Sequence, residues 1–484
     1  MSKIRTRYAP SPTGYFHIGG ARTALFNYLF AKHYGGDFIV RIEDTDVDRN
    51  VSGATDVQLD GLDWLGIIPD ESPRNPKEFK PYIQSENFPY FREIGEELVK
   101  EGKAYYCFCT SEELEEQRKN ALAHGVTPKY NRTCLFLTKE QIDEKLKQKI
   151  PYSIRLRIPE NKVYTWNDLV RGTISVPSDA LTDPIIVKSN GIPTYNFAVV
   201  LDDHRMEITH ILRGEEHISN TPYQLAIMEA LNYDVSKVVF GHLSIIIDET
   251  GKKLSKRNND LKQFIADYKN GGYISNAVTN FIALLGWSPS DNTEINSMSD
   301  LISKFDEKRI SKAPSFFDIK KMNWLDSEYF KKMSETQYLE FVSKFINVDL
   351  STFMNKDLAI TCFKDQIQYA EQINSLIFET FLSFSIENIN QILSLNSIDQ
   401  NTFYQCISVL EEAINNYSVI DVNNANLIVN QVKEKTNLKG KPLFMSIRLI
   451  VIGKEHGPEM YKILTVIGKE KIIKNIKEYR ASII

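Results

Sequence analysis

Apolar residues along the first fifty positions keep two different periods. Ile4 to Tyr8 has the character of a short strand, and Pro10, Pro12 and Gly14 then break it. From Ala21 to His33 the residues Leu25, Phe26, Leu29 and Phe30 fall at helical spacing. A second strand is expected from Phe38 to Ile42, running into Glu43-Asp44-Thr45-Asp46. This strand–helix–strand unit puts His17, Gly19 and Gly20 where a loop becomes a helix. Unpaired backbone N–H groups and the positive end of the helix dipole collect there, which favours phosphate. Glycine lets a nucleotide approach the backbone closely. Alone, the stretch fits an ordinary tight turn equally well.

Further along, Pro69, Pro73, Pro76 and Pro81 punctuate a loop region. A helix is expected near Glu86–Lys100, then a strand from Tyr105 to Phe108. Thr110 and Glu113 make a capping box that opens another helix. Ser153 to Ile158 alternates like a strand. Strands resume near Pro184 as Ile185–Lys188, Asn196–Leu201 and Ile208–Leu212. The apolar run Leu243 to Ile247 leads into the turn signal Asp248-Glu249-Thr250-Gly251. Lys252, Lys253, Lys256 and Arg257 then crowd four positive charges into six residues. Such a loop can close over a triphosphate and stabilise charge as pyrophosphate leaves; a solvated basic loop has the same pattern. Past about residue 330 the chain reads as helical. Ser334 and Gln337 form a second capping box, and Tyr338, Phe341, Val342 and Phe345 make an apolar stripe that reads as core.

With 484 residues the chain has room for about three domains. No apolar run reaches membrane length, the N-terminus lacks a signal-peptide core, and five cysteines do not suggest a secreted disulfide framework. The expected compartment is the cytoplasm. A net charge of −5 does not advertise a nucleic-acid partner, but its distribution does. Residues 426–484 hold 12 Lys+Arg against 5 Asp+Glu, a balance of +7 on an otherwise acidic chain. Lys433, Lys435, Lys439 and Lys441 lie there, as phosphate contacts or as a solvated helix face.

Two motifs decide between these readings. Arg7-Tyr8-Ala9-Pro10-Ser11-Pro12-Thr13-Gly14, running on through His17-Ile18-Gly19-Gly20, resembles the HIGH signature of class I aminoacyl-tRNA synthetases, with Gly20 where the last His often stands. Lys253-Leu254-Ser255-Lys256-Arg257 resembles their KMSKS signature. Between them, Phe38 to Asp46, Pro193-Thr194-Tyr195-Asn196-Phe197-Ala198 and Ile211-Leu212-Arg213-Gly214-Glu215-Glu216-His217 narrow the resemblance to the glutamyl-tRNA synthetase family. Ala283-Leu284-Leu285-Gly286-Trp287-Ser288 and Phe316-Phe317-Asp318 also fit. The resemblance is dense from residue 3 to about 330, thins, and returns at Gly440-Lys441-Pro442-Leu443-Phe444 and His456-Gly457-Pro458-Glu459.

The resemblance implies an α/β fold: a Rossmann-like parallel-sheet catalytic domain at 1–75 and 184–240, an inserted α+β acceptor-stem domain at 76–183, a KMSKS-type loop and stem-contact region at 241–330, and an all-α anticodon-binding region at 331–484. It implies an ATP-dependent ligase that makes glutamyl-adenylate and transfers glutamate to the 3′ end of tRNA, with tRNA needed even for the first step. His17, Lys253 and Lys256 would stabilise the transition state. Gly19, Gly20, Glu216, Ile245, Ile246, Ser255 and Lys256 would bind ATP, which brings Mg2+. Arg7, Tyr195 and Arg213 would surround the side-chain carboxylate of glutamate, with Ser11 and Glu43 near its amino end; an arginine can hold a carboxylate bidentately. The expected partners are L-glutamate, ATP and tRNA(Glu), with tRNA(Gln) added in a non-discriminating version, and the chain is expected to act as a monomer. A tRNA-binding protein with a dead active site is the alternative of another class. Some relatives hold zinc at the equivalents of Cys107, Cys109 and Cys134 with a His two residues on. Phe136 stands there instead, and Tyr130 is a possible substitute. Three buried thiols without metal are the competing reading, and the missing histidine tips the expectation against zinc.

Overall fold

The computed structural model describes residues 3–254, 262–387, 389–396 and 398–481. In chain order its strands are β1 (Arg5–Tyr8), β2 (Asp37–Val40), β3 (Ala104–Cys107), β4 (Ser153–Leu156), β5 (Val163–Asp168), β6 (Gly172–Pro177), β7 (Ile185–Val187), β8 (His210–Gly214), β9 (Val239–Leu243), β10 (Ile246–Ile247) and β11 (Ser315–Phe316). The chain divides into two units. One runs to Asp267 and takes in Val278–Ile319; the other holds Tyr268–Ala277 and the chain from Lys320 onward.

The first unit is organised by a parallel sheet in the order β2-β1-β8-β9. Arg5 to Tyr8 stand opposite Asp37 to Val40, Thr6 opposite His210, and His210 to Gly214 opposite Val239 to Leu243. Every residue of β1 is buried, Arg5 and Arg7 included, as expected of a parallel strand covered on both faces. Helix α1 (Ile18–His33) follows β1 and is buried almost all round, from Ile18 through Ala31. Its Asn27 is a polar rivet: Nδ2 donates to the Leu212 carbonyl at 2.9 Å, and Thr6 Oγ1 donates to the Asn27 carbonyl at 2.8 Å. The helix is thereby tied to both β1 and β8.

Between β2 and β8 the chain builds a second, antiparallel sheet, β3-β4-β7, and the β5–β6 hairpin. The expected helix near Glu86–Lys100 forms as Phe88–Lys100, preceded by a 3-10 turn at Gln84–Asn87. Gly95 on it faces β7 so closely that a Cβ would lie 2.9 Å from Val187 Cγ2. Both capping boxes are present and reciprocal, Thr110 with Glu113 and Ser334 with Gln337.

Two expectations differ from the structure. Ile185–Val187 pairs with β4 and so extends the inserted sheet, not the parallel one. Asn196–Leu201 is not a strand: Tyr195–Arg205 is a helix, buried from Phe197 to Asp203. A continuous buried apolar run carries no period that separates strand from helix.

In the second unit the helices Gln400–Asn415, Val422–Thr436, Gly440–Ile452 and Met460–Ala481 bury apolar faces that include Phe403, Leu410, Ile428, Ile447 and Ile463. Tyr338 and Val342 of the apolar stripe are fully buried. Among the described residues no helix is long and apolar enough to cross a membrane.

Candidate active site

A cavity of about 800 Å3 opens where β1, β8 and β9 end. The carboxyl ends of parallel strands are where ligands of open α/β sheets collect. One end of the cavity is built by the start of α1. His17 is the N-cap, and its Nδ1 accepts from the Gly20 N–H at 3.2 Å. Gly19 packs against the His17 ring, and a Cβ at Gly20 would lie 2.7 Å from the Tyr8 hydroxyl. The second motif approaches on a hairpin. Asp248 Oδ1 accepts from Thr250 N at 2.8 Å and Lys252 N at 3.2 Å, Gly251 takes a φ of +76°, and Lys253 bridges back to Ile247. This turn brings Lys253 to the cavity wall beside Ile245 and Ile246. After the loop the chain returns to the first motif: Ile18 N donates to the Gln263 carbonyl at 2.9 Å, and Ile265 N to that of Phe16 at 2.9 Å. The two motifs, so distant in sequence, share one site. Ser255 and Lys256 lie outside the described residues.

Of the residues expected at the nucleotide, His17, Gly19, Gly20, Glu216, Ile245, Ile246 and Lys253 line the cavity. Gly214 leaves room for Glu216, whose carboxylate would collide with a Cβ there. Neighbouring Glu215 pairs with Arg171 and accepts from Ile245 N at 3.1 Å, fixing the apolar wall.

The other end of the cavity rests on buried charge. Ser11, Glu43, Tyr195 and Arg213 line the cavity. Arg7 does not; it lies behind it, with Nε 3.2 Å from Asp203. Arg41 is wholly buried between Glu43 at 2.9 Å and Asp203 at 2.7 Å. Burial pushes the Glu43 carboxyl up, against the pull of Arg41 and Arg7. Arg213 is clamped on two nitrogens: Nε donates to His242 Nε2 at 3.1 Å and Nη2 to Thr221 Oγ1 at 2.8 Å. Its Nη1 is buried and makes no hydrogen bond of normal geometry, although the guanidinium also interacts with the Tyr195 hydroxyl. Burial lowers the Arg213 guanidinium from its ordinary value, and the nearby positive charge of Arg7 adds to this. His217 lies 3.4 Å from the Tyr195 hydroxyl and is held at about 4, by burial first and by Arg213 second, so it is neutral at neutral pH.

Arg22 was not among the expected residues. It projects from α1 into the cavity wall, donates to the Ser244 carbonyl and to Ser315 Oγ at 3.3 Å, and is lowered to about 10 by burial. The only sequence signal was a charge amid Ala21, Ala24 and Leu25.

Away from the cavity, the Sγ atoms of Cys107, Cys109 and Cys134 lie within 4.8 Å of one another. The Tyr130 hydroxyl is 3.4 Å from Cys107 Sγ and 3.5 Å from Cys109 Sγ, and the Arg155 guanidinium sits 3.9 Å above its ring. Hydrogen bonding, from Cys134 first, holds the Cys107 thiol far below its usual value. Phe136, at the position of the missing histidine, is 77% exposed. Three sulfurs and one oxygen in this cluster fit a four-coordinate zinc.

The parallel sheet, the His17 cap, the Lys253 turn and charges of both signs meet around this one cavity. Residues 3–324 match the catalytic domain of class I tRNA synthetases (E and Q), and residues 316–480 match an anticodon binding domain. The glutamate–tRNA ligase of Malacoplasma penetrans is 55% identical over 98% of both chains, and that of Ureaplasma parvum 51% identical over 98% of both. A crystal structure of a glutamate tRNA ligase from Elizabethkingia meningosepticum, in complex with its amino acid, superposes with a TM-score of 0.89 at 34% identity, covering 99% of this chain and 100% of that one. The chain belongs to the class I tRNA synthetases, in the glutamate–tRNA ligase family.

Proposed function

We propose that this cavity condenses L-glutamate with ATP, which arrives with Mg2+, into glutamyl-adenylate, and then passes glutamate to the 3′ end of tRNA(Glu). The observation that carries the reading is the buried Nη1 of Arg213, a residue that lines the cavity, which makes no hydrogen bond of normal geometry within the chain. A buried donor without a partner is costly, and a carboxylate oxygen satisfies it. Glutamine would present a neutral amide, which pairs less well with a guanidinium. Tyr195 and Arg213 read the side chain, and Arg7 reinforces them electrostatically from behind. Glu43 and Ser11 face the ammonium. With the substrate so held, its α-carboxylate attacks the α-phosphate in line, and catalysis is positioning plus charge stabilisation. Lys253 supplies positive charge and His17, whose Nδ1 accepts from Gly20 N–H, offers an Nε2–H donor, with Ser255 and Lys256 next along the chain. Gly19 and Gly20 admit the phosphates, and Ile245, Ile246 and Glu216 hold the adenosine.

The test is glutamate charging of purified tRNA(Glu) and tRNA(Gln) side by side, with tRNA-dependent ATP–pyrophosphate exchange. Charging of tRNA(Glu) with exchange supports the reading. Absence of both, with tRNA still bound, makes the chain a binding protein. Equal charging of tRNA(Gln) makes it a non-discriminating enzyme.

We also propose that Cys107, Cys109, Cys134 and Tyr130 hold structural zinc, which ties the end of β3 to the turn at Thr133–Phe136. The Tyr130 hydroxyl, 3.4 Å from Cys107 Sγ and 3.5 Å from Cys109 Sγ, supports the reading of it as the substitute fourth ligand. About one zinc per chain by elemental analysis, lost in Cys109→Ser, is expected; well under one in the parent contradicts it.

A further inference from the structure

The clamp on Arg213 continues into a part of the chain that supplies nothing else to the cavity. His242, on β9, is fully buried. Its Nε2 accepts from Arg213 Nε, while its Nδ1 meets Asp168 Oδ2 in a short contact. Asp168 is the last residue of β5, in the inserted segment, 74 positions earlier. Its two oxygens have separate duties. Oδ1 accepts the backbone N–H groups of Val170 at 3.0 Å, Arg171 at 3.0 Å and His242 at 3.1 Å. Oδ2 faces His242 Nδ1, with the Trp166 indole N–H more distant at 3.4 Å. Burial alone would raise this carboxyl, but the His242 and Arg171 contacts outweigh it and hold Asp168 at about 2. It is an anion and can only accept.

An acceptor at Nδ1 fixes the tautomer: the proton is on Nδ1, and Nε2 has a lone pair. Only that tautomer can accept from Arg213 Nε. We propose that Asp168 and His242 are positioning residues of the amino-acid site, a relay from the inserted hairpin that locks the Arg213 guanidinium and so sets the preference for glutamate over glutamine. The inference rests on Arg213 as the reader of the side-chain carboxylate. Thr221 anchors Nη2, the relay anchors Nε, and the remaining nitrogen is the one left for substrate.

Asp168→Asn tests the relay with almost no change in volume. The asparagine carbonyl can keep the three backbone donors, so its amide N–H then faces His242 Nδ1. The imidazole is forced to the other tautomer, and Nε2–H meets Arg213 Nε–H, donor against donor. The readout is steady-state aminoacylation of tRNA(Glu) by the full chain, with glutamate and ATP varied separately. Asp168→Asn is expected to raise KM for glutamate about tenfold or more, with KM for ATP near the parental value and a smaller advantage over glutamine. His242→Asn keeps the donor toward Asp168 but removes the acceptor for Arg213, and provides a second route should the first variant fold poorly. Because the two act through one contact, the double variant is expected to be no worse than the more impaired single. A parental KM for glutamate in the single variants, an equal rise for ATP, or additive effects in the double variant overturns the relay. Arg213→Ala separates the two levels. If it leaves KM for glutamate unchanged, the reading of Arg213 itself falls; if it is impaired while Asp168→Asn is parental, only the relay falls.

Discussion

At the scale of single residues, the site is made of buried charges whose protonation is set by their surroundings. His217 is the clearest case for pH. Its ordinary value of 6.5 drops to about 4 in the folded chain, through burial and the nearby Arg213. The unfolded chain therefore binds the extra proton between these two values. Stability from this group is complete above about 6.5 and is lost as pH falls toward about 4. A His217→Asn variant should show a flatter dependence of its urea midpoint on pH across that window than the parent. An identical slope would place the titration elsewhere. Legibility at this scale depended on motif. Glu43, Tyr195 and Arg213 stood in recognisable stretches and do line the cavity. Arg22, His242 and Asp168 did not, because a lone arginine on an apolar helix and a His–Asp pair split between two strands have no local pattern.

At the scale of elements, two short devices present His17 and Lys253 to the cavity. The first is the cap on α1, where His17 satisfies the Gly20 N–H and Gly20 leaves room for Tyr8. The second is the turn at Asp248–Gly251, which aims Lys253. Both were legible, since proline, glycine and aspartate punctuate them. Asp248 acts only through the turn, accepting from Thr250 N and Lys252 N. Asp248→Ala should therefore lower kcat/KM for ATP by about tenfold, through misplaced Lys253, while KM for glutamate is kept. Pre-steady-state ATP titration reads this, and unchanged ATP kinetics would show that Lys253 is placed by something else. The element that misled was Tyr195–Arg205. Its Phe197-Ala198-Val199-Val200-Leu201 run is rich in valine and uniformly buried, so neither period nor propensity marked it as helical.

At the scale of the whole molecule, charge is segregated along the chain. The +7 balance of residues 426–484 falls within the match to an anticodon binding domain. Lys433, Lys435, Lys439 and Lys441 are all exposed, and Lys435 pairs with Glu412 at 2.7 Å. Neutralising the four together should weaken tRNA binding and flatten its salt dependence, because fewer counterions are released. Affinity for ATP should be unchanged. A parental salt slope would make these lysines a solvated helix face. We propose that Arg213 reads the side-chain carboxylate of glutamate in a cavity that also takes ATP. The most direct test of this role is the ratio of kcat/KM for glutamate to that for glutamine, measured with tRNA(Glu) in the parent and in Arg213→Ala. The ratio should be large in the parent and fall by about 100-fold or more in the variant, chiefly through KM for glutamate. An unchanged ratio would contradict this role and leave Arg213 as a buried structural cation.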